Sequence, residues 1–429
     1  MMNHLYDLFL KHPDICTDTR QIRPGCLFFA LKGDRFDGNL FVPEALEKGA
    51  AFAVADNYPG TDPRCIRVPD VLKALQDLAV IHRNHFAGPV FALTGSNGKT
   101  TTRELIDAVL SVRFRVTATK GNLNNHIGVP LSILQIDRNT QAALFEMGAS
   151  HPGEIALLTG MVRPGAGLIT NVSGAHLEGF KDLEGVKRCK GALYDYLGAH
   201  EGTVFVHADD PLLAGMLKER AIRERVIPYG ISRQPVQAVM EDGYLTLLPE
   251  GYPPVKTHLA GLYNTPNVLA ALAVGAYFGI APEQAAQAVS AYVPANSRSQ
   301  WIRTSRNSLI ADAYNANPVS MALALENLAS LNVPCKCVVL GDMLELGTAS
   351  DKEHRNIVGM VEKMAPEQVF WVGPLFTKAV HQSRAKGICF GKVEDLIRHL
   401  EIRPLEGATV LIKGSNGIRL RELIASGVC

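Results

Sequence analysis

The chain has 429 residues, more than the ~250 to 300 at which a single hydrophobic core stops growing, so two or three domains are expected. Lys plus Arg (43) and Asp plus Glu (42) nearly cancel, which excludes the long-range field of a dedicated nucleic-acid or membrane-surface binder and points to small-molecule partners. None of the eight cysteines stands in a CxxC pair, which argues against a zinc site or disulfide framework. The N-terminus lacks a basic segment followed by an apolar run, and no stretch reaches ~18 apolar residues, so a soluble, cytoplasmic protein is expected.

In chain order, residues 25–54 read CLFFAL, a Gly/Asp-rich turn, FVPEALEKGA and AFAVA. That is the strand, loop, helix and strand of a small α/β unit. Leu72, Leu75, Leu78 and Ile81 recur near helical spacing, and Gly88-Pro89 breaks the helix, which sets a first domain at residues 1–86. The strand VFALT then passes directly into TGSNGKTTT and the helix RELIDAVLSV. Apolar runs QAALFEMGA and GAGLITNV alternate with helical segments, the pattern of a mostly parallel sheet wound with helices. NVLAALAVGAYFG and PEQAAQAVSAY close this second domain, residues 87–294. Strands SLIADAY, KCVVLGD, QVFWVG and ATVLIKG alternate with helices in a third, residues 295–429. The fold class is therefore α/β, with three domains.

The loop TGSNGKTTT, residues 94–102, carries the chemistry. A buried strand ending in a Gly-rich turn leaves successive backbone N–H groups aimed at one spot, and the following helix adds the positive end of its dipole, so phosphate oxygens bind there. Gly95 and Gly98 permit the tight path, Ser96, Asn97 and Thr101 complete the loop, Lys99 reaches the terminal phosphates, and the Thr100 hydroxyl is placed to ligate magnesium. Leu93 stands where the strict pattern has glycine, so this is a variant loop. A Gly-rich turn with no ligand is the competing reading, and the contiguous GKTTT after a strand weighs against it. An ATP-dependent enzyme is expected.

Two further features stand out. Glu146 follows the apolar run AALF, and a carboxylate at the end of a buried strand rarely sits there without a cation, which favours a magnesium role. Asn122, Asn124 and Asn125 form an amide cluster after the strand RVTATK. Amides hold a phosphate or sugar without adding charge, although such runs are more commonly plain turns.

At the phosphate loop the chain resembles the Mur ligases and the related folylpolyglutamate synthases. GNLNNHIGVPLSIL, EMGASHPGEI, AHLEGF, DAYNANPVSM, LGDMLELG and IKGSNGIRL together resemble one branch of that family, the ligases that join D-alanyl-D-alanine to a UDP-N-acetylmuramoyl-tripeptide. The N-terminal TDTRQIRPGCLFFALKGDRFDGNLF is similar to the family's uridine-nucleotide-binding domain, so the resemblance spans the chain. It implies a small UDP-binding α/β domain, a central P-loop ATPase-like parallel-sheet domain and a C-terminal Rossmann-like domain. It also implies a two-step reaction in which ATP phosphorylates the tripeptide's terminal carboxylate and the dipeptide amine attacks the acyl phosphate.

Carried over residue by residue, the resemblance implies that Thr100 and Glu146 hold a first magnesium ion. His176 and Lys190 would serve a second, with Lys190 carbamylated so that an ammonium becomes an anionic oxygen ligand. Where the family often has an acidic residue two places after that lysine, this chain has Ala192, and Lys187 lies near. Arg298 matches an arginine that reaches the γ-phosphate on domain closure, and Asp312 and Asn317 match nucleotide contacts. Asn264 and Asn267 match adenine contacts, with Tyr263 in place of a usual histidine and helix capping as a competitor. Asn122, Asn124 and Asn125 would face the UDP-sugar substrate. Thr19, Arg20, Lys32 and Gly33 match the diphosphate site, with Asn39 in place of a common histidine.

Three alternatives stay open at this point. One is a sibling ligase adding a single amino acid to a muramoyl peptide or a folate. Another is a nucleotide-binding scaffold without turnover, and the last a phosphotransferase with a stable product. Nothing in the sequence demands more than a monomer.

Overall fold

The computed structural model describes residues 2–33, 36–174, 177–295 and 297–429. Three sheet-centred units follow one another along the chain. The first is a four-stranded parallel sheet in the order Ile15–Cys16, Leu27–Phe29, Phe52–Ala55, Cys65–Arg67. The helix Val71–Asn84 packs Val71, Ala74, Leu75, Leu78 and Ala79 inward. Asp70 starts this helix by accepting the Lys73 N–H, one of the donors a helix leaves unpaired at its first turn.

The central unit holds six parallel strands in the order Val226–Tyr229, Thr203–His207, Ala166–Ile169, Val90–Thr94, Ala142–Glu146, Val116–Ala118. The three middle strands are buried along their whole length. This explains why they read as continuous apolar runs rather than as alternating ones. Val90–Thr94 comes first of these strands in the chain and has later strands on both sides, Ala142–Glu146 on one and Ala166–Ile169 on the other. Its carboxyl end therefore lies where the strand order reverses, the crevice where α/β sheets bind ligands.

The last unit is a six-stranded sheet in the order Gln300–Arg303, Ser308–Asp312, Thr409–Lys413, Lys336–Gly341, Gln368–Val372, Ile388–Phe390. All its pairings are parallel except the first. Two features were not expected from the sequence. The edge strand Gln300–Arg303 is antiparallel. A separate three-stranded antiparallel sheet, Val236–Glu241, Tyr244–Pro249 and Val255–Lys256, sits in the stretch before the helix Thr265–Tyr277. Its first strand is mostly half-exposed, so it lacks the apolar run that marks the other strands.

The expected elements otherwise form close to where they were placed. The helix after the phosphate loop runs from Lys99 to Leu110 and so begins inside the loop motif itself. Among the described residues, no helix is long and apolar enough to cross a membrane.

Candidate active site

The phosphate loop is shaped by its two glycines and pinned by the neighbouring strand end. A Cβ on Gly95 would meet the Thr170 Oγ1 at 1.8 Å, so only glycine lets the loop pass that strand. Gly98 has φ 77°, and a Cβ there would lie 2.8 Å from the Asn267 Oδ1; a side chain would be strained and blocked. The loop N–H groups of Ser96 and Asn97 donate to the Asn171 carbonyl and side chain at 3.0 Å each. The Thr170 hydroxyl donates to the Asn97 carbonyl at 2.6 Å, and Ser173 exchanges hydrogen bonds with Ser96. The segment after Ala166–Ile169 therefore acts as a brace for the loop.

Lys99 folds back onto that loop, its Nζ donating to the carbonyls of Gly95 at 2.8 Å and Ser96 at 3.0 Å. Burial pushes its pKa down to about 8, with Glu146 opposing and Arg298 adding to the fall. Thr100 is buried and its hydroxyl donates to the carboxylate of Glu146, 2.9 Å from Oε2. Glu146 is 1 % exposed and also receives the Asn124 amide at 2.8 Å and the Arg103 Nε at 3.4 Å. Thr101 lines the cleft beside the loop.

A hydroxyl and a carboxylate presented together at the base of a phosphate loop are a hard-oxygen donor pair of the kind magnesium accepts, with phosphates and water completing its shell. Among the described residues, no three His, Cys, Asp or Glu side chains gather into a metal cluster. His176 lies outside the described residues.

Lys190 is 1 % exposed on the helix Leu183–Ala199. Burial, with the nearby Lys99 adding to it, pushes its pKa down to about 7. Lys187, the other lysine of the KRCKGALY string, is ion-paired to Glu219 at 2.6 Å. Lys187 thus faces a surface carboxylate, whereas Lys190 is buried near Lys99.

A cleft of about 420 Å³ opens between the central and last sheets, within the usual size of small-molecule sites. From the central unit, Ser96, Asn97, Gly98, Lys99 and Glu146 line it, joined by Asn264 and Asn267. Thr102 Oγ1 donates to Asn267, whose amide donates to Asn264 at 2.9 Å, whose amide in turn donates to the Ala260 carbonyl. Asn264 stands at the helix N-cap but makes no side-chain capping bond, which removes capping as its explanation.

From the last unit, Arg298, Asp312 and Asn317 line the same cleft. Asp312 pairs with Lys413 at 2.5 Å, and Lys413 is 1 % exposed and lines the cleft as well. Lys413 was missed in the sequence, although it stands in IKGSNGIRL; the signal was a lone lysine ending the apolar run ATVLI. Register explains the pairing, since Asp312 and Lys413 end two adjacent parallel strands as direct partners. In LGDMLELG, by contrast, Asp342 accepts the N–H groups of Leu375 and Phe376 and so starts the helix Pro374–Ser383.

The amide cluster divides. Asn124 and Asn125 line the cleft, but the Asn125 side chain accepts the N–H groups of Ile127 and Gly128 and is therefore largely a turn-former. Asn122 is exposed and does not line the cleft. His126, to which the sequence gave no role, does line it.

Thr19, Arg20, Lys32 and Gly33 sit on the first unit and do not line this cleft. Arg20 is held by Asp18 at 2.6 Å, and Lys32 by Asp56 at 2.8 Å. Asn39 is 3 % exposed and ties Asp37, Asp56 and Asn57 together, so it braces the hairpin Lys32–Gly33/Phe36–Asp37.

Comparison with known proteins accords with this geometry. Residues 14–83 match the model "Mur ligase family, catalytic domain", residues 93–275 the Mur ligase middle domain, and residues 297–416 the "Mur ligase, glutamate ligase domain". The UDP-N-acetylmuramoyl-tripeptide--D-alanyl-D-alanine ligase of Bacillus subtilis is 35 % identical, covering 99 % of this chain and 94 % of the relative. That of Escherichia coli is 32 % identical, covering 96 % and 92 %. Among solved structures, MurF from Acinetobacter baumannii superposes with TM-score 0.85 at 28 % identity, covering 97 % of this chain and 93 % of the other. MurF ligase from Thermotoga maritima in complex with ADP superposes with TM-score 0.85 at 26 % identity, covering 98 % of both. The chain, with its three α/β units, belongs to the Mur ligase family.

Proposed function

We propose that this protein joins D-alanyl-D-alanine to UDP-N-acetylmuramoyl-tripeptide at the expense of ATP, forming the UDP-linked pentapeptide of peptidoglycan synthesis. The observation that carries the reading is one cleft in which the phosphate loop and Glu146 of the central unit face Arg298, Asp312 and Lys413 of the last. The similarity to ligases named for this reaction over nearly the whole chain supports the substrates, and the ADP complex of a similar structure supports the nucleotide.

In this reading Gly95, Ser96, Asn97, Gly98 and Thr101 hold the ATP phosphates, with Asn264 and Asn267 toward the base and Asp312 and Asn317 toward the rest of the nucleotide. The tripeptide carboxylate forms a bond to the γ-phosphorus as the bond to ADP breaks. The dipeptide amine, having lost a proton, then forms the C–N bond at the acyl phosphate and phosphate leaves. Two anions meet in the first step, so cations must surround the transfer point. Lys99 and Arg298 supply them from opposite units, and closure of the cleft would keep water from the acyl phosphate. Magnesium, when bound, neutralises charge on the transferring phosphate; Thr100 and Glu146 would hold it, and His176 and Lys190 would hold a second ion. Because burial keeps part of the Lys190 population neutral near pH 7, its amine is suited to carbamylation.

Thr19, Arg20, Lys32 and Gly33 would bind the uridine diphosphate, its oxygens replacing Asp18 and Asp56 as partners, with Asn122, Asn124 and Asn125 toward the sugar. The domains would be residues 1–86, 87–294 and 295–429, in a cytoplasmic monomer.

The test is product analysis. With ATP and UDP-N-acetylmuramoyl-tripeptide, phosphate release should require D-alanyl-D-alanine and yield the pentapeptide. Robust release without the dipeptide would instead make the protein a phosphotransferase.

A further inference from the structure

Arg298 stands at the junction of the central and last units, and its surroundings are unusual. Both its neighbours, Ser297 and Ser299, hold left-handed backbone at φ 55° and 48°, a conformation costly for non-glycine residues and found where surrounding structure over-determines a functional side chain. Ser299 is fixed from both ends: its carbonyl accepts the Ala260 N–H at 2.9 Å, and its hydroxyl is 3.1 Å from that of Tyr263. The Arg298 Nε is buried without a hydrogen-bond partner, and among the described residues no carboxylate pairs with its guanidinium. Its contact is an aromatic one, with the guanidinium carbon 3.7 Å from the ring centroid of Tyr314. Arg421, on the last helix, lies 4.6 Å from the same centroid.

We propose that Tyr314 is a positioning residue for phosphoryl transfer, its ring holding the Arg298 guanidinium at the cleft, with Arg421 against the same ring. This rests on the reading that Arg298 meets the γ-phosphate. A carboxylate in that position would compete with the phosphate for the arginine. A ring attracts the cation through its quadrupole and leaves every N–H donor free for the ligand. Tyr314 also lines the cleft, on the loop between Asp312 and Asn317.

The test uses the full-length protein and compares binding of ADP with binding of a non-hydrolysable ATP analogue, alongside kcat and KM for ATP. Tyr314→Phe keeps the ring and should stay within about twofold of the parent. Tyr314→Leu should weaken the analogue and lower kcat/KM for ATP by about tenfold, the scale of one partly desolvated cation–ring contact, and leave ADP affinity unchanged. Arg298→Gln should show the same γ-phosphate-selective loss, and the Arg298→Gln/Tyr314→Leu double variant should be no worse than Arg298→Gln alone. Tyr314→Met replaces the leucine variant if the latter does not bind ADP.

A selective loss in Arg298→Gln with none in the Tyr314 variants would overturn the positioning role alone. Damage in Tyr314→Phe equal to that in Tyr314→Leu, or additive losses in the double variant, would do the same. If Arg298→Gln binds the analogue normally, the assignment of Arg298 fails and the proposal fails with it.

Discussion

The side-chain amide of Asn317 donates to the Oδ1 of Asn97 at 2.6 Å, linking the last sheet unit directly to the phosphate loop. The same residue starts the helix Pro318–Ser330, its Oδ1 accepting the Ser320 N–H in a reciprocal capping arrangement. One amide thus serves two purposes with its two ends.

The two roles can be separated by substitution. Asn317→Asp keeps the acceptor that caps the helix and loses the donor to Asn97, so its thermal stability should stay near the parent's. Its kcat/KM for ATP should fall by roughly threefold to tenfold, the worth of one intramolecular hydrogen bond. Asn317→Ala should lose both, with about 1 kcal/mol of stability gone with the cap. Equal activity in Asn317→Asp and the parent would make the inter-unit contact irrelevant to turnover.

Lys190 is the most sharply placed of the lysines. Lys190→Ala should be nearly inactive while retaining its fold, because alanine favours the helix and the change removes an amine whose charge burial disfavours. Short carboxylic acids should restore part of the activity by supplying the oxygen ligand that the proposed carbamate of Lys190 would provide. Full activity in the unsupplemented variant would take Lys190 out of the mechanism.

The Asp312–Lys413 pair is nearly removed from solvent, with side chains 15 % and 2 % exposed. Removing one partner strands the other's charge, a change that typically costs about 3 to 5 kcal/mol. Lys413→Met should therefore unfold at markedly lower denaturant than the parent. Lys413→Met/Asp312→Asn should recover part of that loss, a recovery visible in the same urea titration.

His354 gives a pH prediction away from the cleft. Its Nε2 accepts the Met343 N–H at 3.1 Å and its Nδ1 lies 2.8 Å from the Ser350 carbonyl, an arrangement only the neutral ring satisfies. Burial pushes its pKa below the ordinary 6.5. Between the folded value and 6.5 the unfolded chain binds the extra proton, so stability is fully present above pH 6.5 and is lost as pH falls through that window. His354→Gln should be less stable at pH 8 and show a shallower decline from pH 7 to 5. An unchanged slope would assign the acid sensitivity to other groups, such as His82, whose pKa burial also lowers.

The sequence by itself determined the phosphate loop, the parallel sheets and many of the residues that line the cleft. Loop and strand signals are local: Gly95, Gly98 and Lys99 sit within one turn of chain, and buried parallel strands such as VFALT and AALFE announce themselves as apolar runs. The antiparallel strands of residues 236–256 were not legible, because the first is mostly half-exposed and carries no such run, and the third is only two residues long. Tertiary structure alone decided which of the candidates meet. Strand register brought Asp312 to Lys413 over 101 positions, and the approach of the two sheets brought Asn317 to Asn97 and Arg298 to the phosphate loop. It also separated Lys190 from Lys187 and made Asn125 a turn-forming residue. Pairings of this kind depend on which strand ends share a crevice, a property of sheet order that no local stretch of sequence encodes.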